Sequence, residues 1–298
     1  MNNMFSSTAV SRTESGSVVL ATSNNGLLIE KDGHWIHSLS QLNYHIRDLK
    51  CVGKMIYGVG ENGVFIKSEN EGKDWSIKHF PTKASVWSLC CNSKGLVIAH
   101  GEKVIYISTN FGETWKVISP FTVNNSPSIR SLCLFEDKLF IGTKIHPENG
   151  GIWMLDLNTF ESVRVKVETE KMISSMLVHD ELLVAVSGSC RGKNGVLEFI
   201  PLPSIRNKSE HKWNACYSAD GQGSYLDICA HNGILFTSST QNESGYSTVS
   251  RVYLEKQLLV PCDYVKGHGW RICNENENYI VAGQHETRVY LSNAQRVC

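Results

Sequence analysis

The chain has 298 residues, of which 41% are hydrophobic and 19% charged, a globular composition long enough for one large domain or two small ones. Its 29 Lys and Arg cancel 29 Asp and Glu, so no net field draws it to nucleic acid or to an anionic membrane. No apolar run approaches the roughly 18 residues of a membrane span, and the opening MNNMFSSTAVSRTESG lacks the basic and apolar regions of a signal peptide.

In chain order, the first apolar segment is Phe5–Val10, followed by the runs Val18–Thr22, Met55–Val59, Leu96–His100, Leu139–Thr143, Leu182–Ser187, Ile234–Ser238 and Tyr279–Gly283. The last seven recur at intervals of roughly 37 to 52 residues, the spacing of repeated four-stranded units. Around each lie further short runs such as IRDLKCV, IRSLCLF, GLLIEKDGHW and VIYISTNFGETW. They alternate with period two, are rich in Val, Ile, Tyr and Trp, and are bounded by Gly, Asn and Asp, which predicts strands throughout. No segment carries a helical period. Trp35, Trp75 and Trp115 stand 40 residues apart and each closes a turn.

Two of those turns are Ser68-Glu-Asn70-Glu-Gly72-Lys-Asp74-Trp75 and Ser108-Thr-Asn110-Phe-Gly112-Glu-Thr114-Trp115, and Lys31-Asp32-Gly33-His34-Trp35 is a shortened copy. Asn or Asp bonds its own backbone, Gly takes a positive φ and Trp covers the turn. These turns resemble the Asp-box (BNR repeat) of sialidase-like, sorting-receptor and photosystem assembly-factor propellers. The resemblance is clear over the first 120 or so residues and rests on period alone beyond them. It implies an all-β, seven-bladed β-propeller of four-stranded antiparallel blades, with six blades as the alternative, forming a single domain over residues 1–298. The last unit has three clear strands, so Phe5–Val10 is expected to complete it and close the ring. In these families the Asp-box lies at the blade periphery, so it implies the fold and not glycosidase activity.

Propeller strands run outward from a central channel, and ligand sites usually lie on the face that carries the connections into the innermost strands. That register gathers five of the eleven histidines on one rim: His45, His100, His146, His268 and His285. It also places Arg47, Arg130 and Arg271 at equivalent innermost positions, where forked donors suit a carboxylate or phosphate. Trp87, Tyr225 and Trp270 offer flat walls for a ring or sugar. Asp48 and Asp227 are at hand to brace the arginines instead, and Asp227 joins the candidate ligand-binding set. So does Arg191, beside Cys190 in the glycine-rich segment Ser187-Gly-Ser-Cys190-Arg191-Gly, where a thiolate could be stabilised, the alternative being a loop cysteine with no role.

The leading expectation is a ligand-recognition propeller that takes an anionic small molecule, peptide end or glycan at the top of the channel, with a protein partner as a further candidate. The alternative is a lyase, cyclase or hydrolase, cofactor-free or metal-assisted, at the same mouth. There His268 is the best general base, joined by His285 and Tyr225. The three arginines invite comparison with the sialidase triad, but that enzyme also needs a tyrosine nucleophile with an acidic partner, for which only Tyr225 with Glu243 or Glu286 can be nominated. His285-Glu286 and His146-Pro-Glu148 could share a cation, yet neither spacing is diagnostic and no metal or cofactor is assigned. Cys51, Cys90, Cys133, Cys229 and Cys273 sit in apolar runs, as buried reduced thiols of a cytoplasmic protein do.

Overall fold

The computed structural model describes residues 5–24, 26–31, 33–40, 42–189, 195–206, 212–218 and 223–292. The first four sheets each have four antiparallel strands. They are β1–β4 (Ser7–Arg12, Val18–Thr22, Leu27–Lys31, His34–Leu39) and β5–β8 (Ile46–Val52, Met55–Gly60, Val64–Ser68, Ser76–His79). Next come β9–β12 (Ser88–Cys91, Val97–His100, Ile105–Ser108, Lys116–Ile118) and β13–β16 (Ile129–Phe135, Lys138–Thr143, Gly151–Asp156, Ser162–Val167). Strands β17–β20 (Met172–His179, Leu182–Gly188, Val196–Pro201, Asn214–Ser218) and β21–β24 (Tyr225–His231, Ile234–Ser239, Tyr246–Tyr253, Leu258–Lys266) repeat the pattern. These two join at their rims through a short parallel pairing of Tyr217 with Leu258 and Ser218 with Leu259. The last sheet is β25–β27 (Gly269–Glu275, Asn278–Gly283, Thr287–Tyr290). The protein is an all-β propeller of four-stranded antiparallel blades.

The core is a series of wedges between successive sheets. Leu27 and Ile29 pack on Ile46, Ile56 and Ile66; Tyr57 and Phe65 pack on Leu89 and Val97; Ile98 and Ile107 pack on Ile129 and Ile141. Middle strands such as β2 and β7 are buried at every residue, because a sheet held between two others has no wet face. Their β-branched residues suit that setting.

The last sheet meets the first, but not as the sequence suggests. Phe5–Val10 does not complete it. Instead β1 is the innermost strand of the first sheet, paired with β2 from Ser7↔Thr22 to Arg12↔Val18, and the last sheet has three strands among the described residues. A tight turn joins β1 to β2, with Thr13 N–H donating to Ser17 O (2.9 Å). Closing that local hairpin costs far less chain entropy than pairing with residues at the other end of the chain. The two sheets meet face to face: Val10, Val18 and Leu20 pack on Ile280 and Ala282. Hydroxyls of Ser7 and Thr287 lie 2.8 Å apart, and Arg12 pairs with Glu275 at 3.0 Å.

The turns between β7 and β8 and between β11 and β12 have one hydrogen-bond plan. In the second, Gly112 N–H donates to Ser108 Oγ (2.9 Å) and Thr114 N–H to Asn110 Oδ1 (3.0 Å). In the first, Gly72 N–H donates to Ser68 Oγ and Asp74 N–H to Asn70 Oδ1. Each turn also staples one sheet to the one before it. Trp75 Nε1–H donates to Ser38 Oγ of β4 (2.8 Å), and Trp115 meets Phe65 of β7 edge-on at 5.1 Å. Gly112 has φ +80°, and a Cβ there would stand 2.5 Å from Phe65 Cζ. Gly112→Ala should therefore destabilise the fold by about 2–4 kcal/mol, from positive-φ strain and overpacking. An unchanged urea midpoint at unchanged slope would overturn that reading.

Candidate functional site

Innermost strands share a device invisible in the hydropathy pattern. In β5, Ile46 faces Gly60 and Asp48 faces Val59, so Arg47 is an extra, bulged residue. The same slip occurs at Thr8, Arg130, Ser174, Leu226 and Trp270. At the start of β9, Trp87 N–H donates to His100 O while Ser88 also faces His100. Bulges re-aim side chains beside functional sites. Here Thr8, Arg47, Trp87, Arg130 and Trp270 line one hollow of about 240 Å³, together with Ile129, Lys144 and Arg271.

Arg47 and Arg130 are thus equivalent, but Arg271 lies one residue beyond its bulge, level with Asp48, Ser131 and Asp227. The expectation of three equivalent arginines fails by that one residue. Arg271 reaches the hollow from below and pairs with Asp48 (Nε to Oδ1, 3.2 Å). Burial works to lower its pKa, but the carboxylates of Asp48 and Asp227 outweigh that and raise it. Asp48 also accepts Leu89 N–H at 3.1 Å, and Asp227 accepts Ser175 Oγ–H (2.7 Å) and Ile272 N–H (3.0 Å). Both carboxylates therefore tie one innermost strand to the next.

Arg47 pairs with Glu61 at 2.5 Å and its guanidinium lies 5.4 Å from the Trp87 ring centre. Lys144 approaches the same ring at 5.8 Å. Arg130 differs: it has no ion pair or side-chain hydrogen bond among the described residues. Burial, and secondarily the charge of Arg271, lower its pKa to about 10, so at neutral pH it stays cationic. Trp87, 37% exposed, and Trp270, backed by the His268 ring at 4.8 Å, supply the aromatic walls.

None of the five histidines lines the hollow, and His100 is wholly buried. His45 is held by Glu61 (3.2 Å) and Ser23 O (3.1 Å). His146 accepts the N–H groups of Glu148 and Asn149 through Nδ1 and so caps its own turn. His268 accepts Gln241 N–H at Nδ1 (3.1 Å), which leaves its neutral ring protonated at Nε2 and without a lone pair to act as general base. Burial, with the nearby charge of His285, lowers its pKa further. His285 is exposed. Tyr225 is no nucleophile: it lies in the core against Val186 and Leu197, and burial pushes its hydroxyl up to about 12. The bulge places Leu226, and not Tyr225, at the channel position. Glu286 accepts Lys266 N–H (3.2 Å) and Glu243 is exposed. Cys190 and Arg191 lie outside the described residues. Among the described residues no three His, Cys, Asp or Glu side chains gather closely enough to hold a metal ion. Cys90 and Cys133 are buried free thiols, and burial pushes Cys133 up to about 12.

The candidate set omitted Thr8 and Lys144. Thr8 was hidden by the assignment of its strand to the last sheet. Lys144 stands in the segment Lys144-Ile-His146, where the histidine drew attention instead.

These features define a β-propeller with a basic, aromatic-walled channel mouth. No protein-family model matches the sequence. The chain belongs to the family of the uncharacterized protein YkuO of Bacillus subtilis (strain 168), to which it is 39% identical over 269 residues, 87% of this chain and 89% of that protein. In fold it is similar to YCF48 from Cyanidioschyzon merolae (TM-score 0.71, 14% identity, covering 96% of this chain and 95% of that one). It is similar also to YCF48 bound to D1 peptide (TM-score 0.71, 13% identity, covering 98% and 95%). A third similar structure is the GH74 xyloglucanase from Xanthomonas campestris (TM-score 0.69, 9% identity, covering 96% of this chain and 52% of that one). No helix among the described residues is long and apolar enough to cross a membrane.

His100 yields a test of how dry the wall beside this mouth is. It is wholly buried, its Nδ1–H donates to Gly101 O (2.6 Å), and burial lowers its pKa to about 4 from 6.5. As pH falls below 6.5 the unfolded chain protonates here first, so stability is whole above 6.5 and is lost progressively down to about 4. Between pH 7 and 4.5 the wild type should lose roughly 2–3 kcal/mol more than His100→Asn. Equal losses in urea unfolding would contradict a neutral buried ring.

Proposed function

We propose that this chain is a recognition propeller whose channel mouth binds an anionic group, either the end of a peptide or a small acid. The observation that carries this reading is Arg130, a cation without an ion-pair or hydrogen-bond partner among the described residues, on the wall of a hollow flanked by Trp87 and Trp270. A charge withdrawn from water is costly until it is paired, so the site is preorganised for an incoming carboxylate. The tryptophans suit the body of such a ligand. That YCF48, similar in fold, is bound to a peptide favours a peptide end over a glycan.

Hydrolysis of a glycosidic bond needs two free carboxyl groups flanking it. Around this mouth Glu61 is engaged by Arg47, Asp48 and Asp227 by backbone N–H groups, and Glu102 by Ser128 and Lys144, so recognition without chemistry is the better reading. The repeated Ser-Asn-Gly-Trp turns we take as Asp-box turns on the opposite face. Strands β17–β24 hydrogen-bond as one eight-stranded sheet, which we read as two blades joined at their rims; that makes a seven-bladed, single-domain ring. The free buried thiols fit a reducing cytoplasm.

Short peptides with free or amidated C-termini, titrated calorimetrically, test this reading. The free carboxylate should bind more tightly, and Arg130→Ala should weaken it by about 1.5–3 kcal/mol while leaving the amidated peptide unchanged. Equal affinity of both peptides for wild type and variant would refute an anionic mouth.

A further inference from the structure

Arg271 also lines a second hollow, an inner chamber flanked by the innermost strands. This inner chamber, about 120 Å³, is lined by Asp48, Lys50, Ser88, Ser174, Asp227 and Arg271, among others. That is several times the ~10–15 Å³ that one ordered water needs. Two hydroxyls that line it, Ser88 Oγ and Ser174 Oγ, are buried and have no hydrogen-bond partner among the described residues. The residues are 6% and 1% exposed. Such groups cost stability unless a guest satisfies them.

The guest's chemistry follows from what the walls already use. Asp48 accepts from Leu49 N–H and Leu89 N–H and pairs with Arg271. Asp227 accepts from Ser175 and Ile272. Both acids are therefore engaged, while the serine hydroxyls still have protons to give. Lys50 lies 3.8 Å from Asp48 Oδ1, beyond hydrogen-bond range. Its side chain is 46% accessible and lines the chamber. Arg271 and Lys50 offset the two carboxylates, and with the two serine hydroxyls donors outnumber free acceptors.

We propose that the inner chamber is a second binding site, for a small inorganic oxyanion of phosphate or sulfate type held by Ser88, Ser174, Arg271 and Lys50. It shares Arg271 with the mouth but does not depend on the mouth's ligand. Because neither serine hydroxyl has a partner among the described residues, alanine at these positions removes no hydrogen bond seen in the fold.

The experiment is calorimetric titration of the full chain with inorganic phosphate and, separately, sulfate, in wild type, S88A/S174A and R130A. One-to-one binding to wild type is expected, weakened at least fivefold in S88A/S174A and changed less than twofold in R130A. Crystals soaked in selenate should show selenium in the chamber. Absence of saturable binding, or a chamber holding water alone, overturns the proposal. Binding lost in R130A but retained in S88A/S174A also overturns it, because the anion then sits at the mouth. Failure of the peptide titration with this result intact would remove the mouth reading alone.

Discussion

A sheet made of residues such as Val, Ile and Leu on both faces cannot stop at one neighbour. Each four-stranded sheet here buries both sides, so every sheet needs another before it and another after it, and the last must find the first. The wedge of Val10, Val18 and Leu20 against Ile280 and Ala282 supplies that final contact. Burial of this kind contributes roughly 25 cal/mol per Å², and it is repeated at each junction. The channel is a consequence: sheets arranged about an axis leave their innermost strands facing one another across a gap.

That gap is where polar groups must be reconciled with burial. Backbone N–H groups of innermost strands that face the next sheet have no ladder partner there. Asp48 takes that of Leu89 and Asp227 that of Ile272. Serine and threonine do the converse, with Thr8 Oγ–H donating to Ile46 O (2.6 Å) and Ser131 Oγ–H to Ile173 O (2.8 Å). The acids thus hold neighbouring strands together and also compensate Arg271. Arg130, at the bulge position, has no ion pair among the described residues; Asp48 and Asp227 act on it only at a distance, and burial outweighs them.

Much of the rim was legible because strand periodicity, once the repeat is found, assigns every connection to one of two faces. Tyr44-His45 and Gly60-Glu61 do meet on one face, with Glu61 N–H donating to His45 O (3.1 Å). Individual side chains were less legible. A bulge inserts one residue into an alternating pattern, and everything beyond it changes sides. Arg271 was therefore grouped with Arg47 and Arg130 although it shares a layer with Asp48. Tyr225 was placed at the mouth although Leu226 holds the bulge. His268 looked like a base because its flanking glycines and Trp270 say nothing about Gln241, a residue 27 positions away that uses its Nδ1.

What the sequence by itself determined is the period: alternating apolar runs at near-constant spacing, with Ser-Asn-Gly-Trp turns, dictate four-stranded sheets buried on both faces. This is local information, carried by side-chain alternation and turn chemistry within a few residues. Only the tertiary structure decided that β1 begins the first sheet, that Arg271 has Asp48 as a mate while Arg130 has none, and that two serine hydroxyls face an inner chamber. Those outcomes depend on which strands become neighbours across the channel. Such neighbours lie 38 or more residues apart and meet only once the sheets have packed.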